Sequence, residues 1–133
     1  MDTQHAALIK RSYDEPDERR TPPRSTVDVV HLGNVSSARL TLEPGWRWSE
    51  SVKPIAGTDL CQVHHVGVVL AGSIGVSHGE DSMELGPGDT YVIEPGHDAW
   101  VVGDEPAVLI QFDAEEETAR RFGLPEEHRH PRP

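Results

Sequence analysis

At 133 residues the chain fits one compact domain, long enough to bury a hydrophobic core without disulfide staples. Its net charge of −11, from 23 acidic against 12 basic residues, argues against nucleic acid or anionic lipid as a partner, since both present dense negative charge. One cysteine excludes an internal disulfide and points to a reducing, cytoplasmic setting, while no apolar run has the length of a signal peptide core or a membrane span.

Residues 1–25 read as a polar arm, because "DEPDERRTPPR" is charged, proline-rich and extended. It is expected to be solvated, the alternative being an arm that adds to a partner's sheet edge. From Val27 the texture becomes that of a β-protein. "VSSARLTLE" alternates, with Ala38, Leu40 and Leu42 on one face and Arg39, Thr41 and Glu43 on the other. "WRWSESV" is expected to alternate as well, with Trp46 and Trp48 on one side, and "KPIAGTD" to form a loop. "CQVHHVGVVLAG" reads as a long strand, followed by the short strands "SIGVSH", "SMEL", "TYVIE", "AWVV" and "AVLIQF". The sequences between them, such as "GPGD" and "EPGHD", favour turns. Short strands at this spacing predict a sandwich, jelly roll or small barrel over residues 26–113. After it, "DAEEETARRFG" predicts a short helix with Asp113 as N-cap, and "LPEEHRHPRP" a polar tail, together residues 114–133.

"ELGPGDTYVIEPGHDAW" resembles the second motif of the cupin superfamily, and "LEPGWRWSESVKP" with "HVGVVLAGSIGV" resembles the two ends of its first. The resemblance runs from about Leu32 to Phe112 and is closest to small single-domain bacterial cupins. It implies an all-β double-stranded β-helix, a jelly-roll barrel, often a homodimer, with a metal or small ligand at its wide end. The glutamate of the first motif falls on His65. The two histidines before it fall on Ser51 and Lys53, or in a second register on Asp59 and Cys61. The histidine of the second motif falls on Ala99, with His97 two residues earlier.

Strand parity divides the histidine pair. Cys61 and His65 share one face, and His64 the other. His65 and Cys61 are therefore expected inside the barrel, and His64 exposed or facing a dimer partner. Cys61 and His65 would lie about 13 Å apart along a strand, too far for a thiolate–imidazole pair. Cys61, His65 and His97 are the candidate metal ligands, a donor set suited to zinc, nickel, iron, manganese or copper. Trp46 and Trp48 are candidates to wall a ligand pocket, unless they are core filler. Trp100, of opposite parity to His97, is expected outside, against a partner or the arm. Glu43, Glu50, Glu94, Asp98 and Asp104 flank turns and most of them are expected in solvent, while Asp98, directly after His97, is placed to cap a turn.

The expected function is small-molecule binding, with a metal as a candidate cofactor, in a sensor or binding module or an enzyme. One alternative is a metal-dependent isomerase, decarboxylase or dioxygenase on a small organic substrate. The other is an assembly protein whose barrel is filled.

Overall fold

The computed structural model describes residues 7–60 and 64–113. Cys61 and the helix and tail expected over 114–133 lie outside the described residues. Among them, β1 (Glu18–Arg20), β2 (Ser25–Leu32) and β3 (Val35–Leu42) come first, then two one-turn helices, α1 (Trp48–Ser51) and α2 (Lys53–Ala56). β4 (His65–Ala71), β5 (Ser73–His78), β6 (Asp81–Leu85), β7 (Thr90–Ile93), β8 (His97–Val102) and β9 (Ala107–Asp113) complete the order. No helix among the described residues is long and apolar enough to cross a membrane.

All strand pairs are antiparallel. They form a six-stranded sheet of order β1-β2-β3-β9-β4-β7 and a three-stranded sheet of order β6-β5-β8. The residues the alternation points inward meet in one core. Leu42, Val69 and Leu109 come from the large sheet, Ile74, Val76 and Leu85 from the small one, and Trp46 and Trp48 from the segment between β3 and α1. The all-β expectation holds, and Ala38, Leu40 and Leu42 do share the inner face of β3.

Three local readings change. The arm is not simply solvated: Glu18–Arg20 pairs with Val27–Val29 of the chain's own β2. "WRWSESV" does not continue as a strand; it turns into α1 after a single bridge between Arg47 and Trp100. Both tryptophans are still buried, because the turn at Trp48 places that residue and Ser51 on one inward face. The "KPIAGTD" loop contains α2, with Pro54 in its first turn, where a missing N–H costs nothing.

The arm is fastened to the outer face of the large sheet by a buried carboxylate. Asp28, 2% exposed, accepts from Arg19 Nε at 2.6 Å and Arg39 Nη2 at 3.1 Å. Arg39 also reaches Asp14 and lies over the Tyr13 ring, whose hydroxyl hydrogen-bonds Ser37.

Candidate functional site

The two ends of the barrel differ in chemistry. At one, Leu42 opposes Ala107 beneath Leu109 and Val69, all apolar and buried. At the other, β4, β7, β8 and β9 bring His65, Tyr91, His97 and Gln111 together. His65 is the first residue of β4 and shares its inner face with Gly67 and Val69, as parity requires. Gly67 pairs with Tyr91 on one side and Gln111 on the other, so three inward positions lie in a row.

A hydrogen-bonded chain runs across that row. Gln111 Nε2 donates to Tyr91 Oη at 3.0 Å, and Gln111 Oε1 accepts from His65 Nδ1 at 3.0 Å. Burial holds the Tyr91 phenol protonated, raising its pKa to about 12 against the opposing pull of Gln111. His97, 3% exposed, donates from Nδ1 to the Glu94 carbonyl at 2.7 Å, because a carbonyl oxygen only accepts. Burial pushes the His97 pKa down; the Glu94 hydrogen bond and the charge of Asp98 oppose this, and His78 adds to it. The imidazole is therefore neutral near pH 7, and its Nε2 is an acceptor. The His65 and His97 rings meet edge to face, with centroids 5.0 Å apart and planes at 70°. Both imidazoles thus have Nδ1 tied to a protein acceptor, the arrangement by which outer partners orient ligating or base histidines.

His64 corrects the parity reading. It lies before β4, outside the strand, and is 2% exposed with Nε2 at 3.7 Å from Glu94 Oε1. It does not face solvent, because the alternation that would turn it outward begins only at His65.

No protein-family model matches the chain, and no curated sequence does. Solved structures do. A protein of unknown function from Rhizobium leguminosarum bv. viciae 3841 superposes with a TM-score of 0.60 at 20% identity, covering 80% of this chain and 96% of that one. KdgF from Halomonas sp. gives a TM-score of 0.54 at 17% identity over 76% of this chain and 91% of its own. A sugar phosphate isomerase from a cupin superfamily, from Silicibacter pomeroyi, gives 0.56 at 19% identity, over 78% and 74%. This chain has the cupin fold.

In this cupin barrel the positions that the resemblance marks for the first two histidines have left the sheet. Ser51 ends α1, and Lys53 opens α2 and pairs with Asp59 at 3.3 Å. Ala99 stands inside and packs against the core. The metal that the cupin resemblance implies is matched in part. His65 and His97 come together, but no group of three or more His, Cys, Asp or Glu among the described residues is arranged to hold an ion. A catalytic zinc takes three protein ligands, so these two imidazoles alone are not a metal centre. Cys61, the third expected ligand, lies outside the described residues.

The tryptophans separate as well. Trp46 and Trp48 are buried in the core. Trp46 also carries an indole N–H that no acceptor among the described residues takes. Trp100 lies on the outer face of the small sheet, as parity requires. Its ring covers Gly75, where a Cβ would fall 2.4 Å from the indole, and Arg47 stacks on it with Cζ 4.6 Å from the ring centroid.

Asp98, the candidate turn cap, is buried. Its carboxylate accepts from Arg47 Nη1, Ser49 Oγ and the Ser49 backbone N–H, all within 3.1 Å. It therefore caps α1 from another strand and fixes the segment that delivers Trp46 and Trp48. Asp98→Ala is expected to cost about 1–3 kcal/mol through these unpaired donors and to red-shift the tryptophan emission, both readable in one urea titration followed by fluorescence.

Proposed function

We propose that the protein binds a small polar molecule at the histidine end of its barrel. The observation that carries this reading is the paired imidazoles 5.0 Å apart, both held through Nδ1, with His97 neutral and its Nε2 an acceptor. A ligand hydroxyl or amide N–H suits that acceptor. Trp46 and Trp48 supply large apolar surface in the core of the same barrel. Tyr91 and Gln111 position His65 rather than react.

The test is differential scanning fluorimetry and native mass spectrometry on untagged protein, with a panel of small polyols, hydroxy acids and sugars. Binding compounds are expected to raise Tm in the parent protein, with the shift lost in His97→Ala and reduced in Gln111→Leu. A panel in which no compound moves Tm, with no co-purified molecule in the mass spectrum, overturns the reading and favours a filled barrel with an assembly role.

A second reading is a metal-dependent enzyme, an isomerase, decarboxylase or dioxygenase on a small organic substrate. The tied Nδ1 atoms favour it, since ligating histidines are held in this way, and Cys61 would serve as a further ligand. Elemental analysis of the same untagged protein decides between the two: close to one equivalent of a transition metal, lost in His65→Ala, selects the enzyme.

A further inference from the structure

Tyr13 lies on the arm and the Gln111 side chain lies inside the barrel, and one hydrogen-bonded path joins the two residues through the sheet. Ser37 points to the outer face of β3, opposite in parity to Ala38 and Leu40. Its hydroxyl donates to the Gln111 carbonyl at 3.0 Å. A serine hydroxyl carries one hydrogen. With that hydrogen spent on Gln111, Ser37 Oγ accepts in its contact with the Tyr13 hydroxyl, so Tyr13 is the donor. The path therefore has one direction, from Tyr13 to Ser37 to Gln111. Ser37 is 2% exposed and Gln111 8%, so these bonds are shielded from competing water. Tyr13 is held in turn by Arg39, whose guanidinium lies over its ring and is anchored on Asp28.

The path ends where the large sheet is least supported. The β4–β9 ladder starts at the pair Gly67 and Gln111. Beyond that pair, among the described residues, β9 is joined only to β3, through Ser37 with Phe112 and Ser36 with Asp113. His65 has its strand partner on β7, Ile93. Gln111 thus orients His65 and Tyr91 from the last doubly paired position of its strand, and segments with few partners open most readily. We propose that Tyr13 and Ser37 are positioning residues of the histidine end. From the opposite face of the sheet, the arm steadies the Gln111 backbone and, through the Gln111 amide, the His65 and Tyr91 side chains. The arm thereby belongs to the site while lying outside the barrel. Coupling of this kind is reciprocal, so whatever tightens Gln111 also tightens the arm.

Nuclear magnetic resonance on the full, untagged, isotope-labelled chain tests this. It is read without ligand, so its outcome is separate from whether the histidine end binds a small molecule. Tyr13→Phe keeps the ring beneath Arg39 and removes the donor. It is expected to shift the His65 ring and Gln111 side-chain amide resonances. Backbone amide exchange at Gln111 and Phe112 is expected to rise about threefold in Tyr13→Phe and about tenfold in Ser37→Ala, which removes both bonds. The indole N–H resonance of Trp100, on the small sheet, is expected to stay in place. A residue that only adds stability would lower Tm in its variant and leave the His65 and Gln111 resonances of the folded protein unmoved. Folded Tyr13→Phe or Ser37→Ala protein with the parent's resonances and exchange at these positions overturns the proposal. Should Ser37→Ala fail to fold, by near-ultraviolet circular dichroism, the decision rests on Tyr13→Phe, which loses a single oxygen atom: shifted resonances with faster exchange support the proposal, and unchanged ones overturn it.

Discussion

Replacing Gly67 with alanine is expected to destabilise the barrel by about 2–3 kcal/mol, at the upper end of what overfilling a packed interior costs. The Cβ would stand 2.2 Å from the Ile110 carbonyl oxygen and 2.8 Å from the Tyr91 hydroxyl. The first is backbone in the β4–β9 ladder and cannot swing aside, so the two strands must separate locally. The second is the hydroxyl that meets Gln111, so moving it breaks the chain that orients His65. Urea unfolding of Gly67→Ala reads the loss of stability. The Tm response to a ligand of the parent protein, measured on the fraction that folds, reads the loss of His65 orientation. A variant as stable as the parent would show that the strands accommodate the methyl group and would remove Gly67 from this role.

Asp28→Ala is the second large effect, at about 3 kcal/mol, the scale for removing one member of a buried charged cluster. It leaves Arg19 and Arg39 facing each other without the carboxylate between them. Both guanidiniums reach solvent, which lets them relax and keeps the loss from being larger. The same residue gives the fold an acid limb. Burial raises the Asp28 pKa, but the hydrogen bonds and charges of Arg19 and Arg39 outweigh it and hold the group below its ordinary 3.8. A carboxyl with a depressed folded-state pKa contributes stability that is complete above the unfolded value and disappears as pH falls through the folded one. Stability measured by chemical denaturation between pH 6 and pH 3 is therefore expected to fall more steeply in the parent than in Asp28→Asn. Parallel curves would mean that Asp28 titrates alike in both states.

Much of the barrel was legible because period-2 patterning is a local property. The inward set Ala38, Leu40 and Leu42 and the outward place of Trp100 follow from alternation alone. What was hidden depends on contacts distant in sequence. α1 forms where a strand was expected because Asp98, 49 residues from Ser49, accepts its N–H; no pattern within "WRWSESV" carries that information. Asp98 itself looked like a turn residue because its donors come from another part of the chain. His64 was misplaced because parity was extended past the end of the strand that enforces it. His65 and His97 were found from motif positions. Gln111 and Tyr91 were not, although a lone amide at an inward position of the apolar "AVLIQF" run is a signal for a polar contact in the interior.

The position of β9 has a kinetic consequence. It is the last of the described strands in the sequence and lies in the middle of the large sheet, between β3 and β4. It joins Ser36 to Asp113 and Leu42 to Ala107, so the sheet closes through contacts of long sequence separation, which slows folding. A growing chain on the ribosome carries β3 and β4 with bare edges until β9 emerges. During that interval the apolar rows of β4 and β7 have no finished sheet beneath them, which makes synthesis, rather than the folded state, the stage at which this protein is most exposed to aggregation.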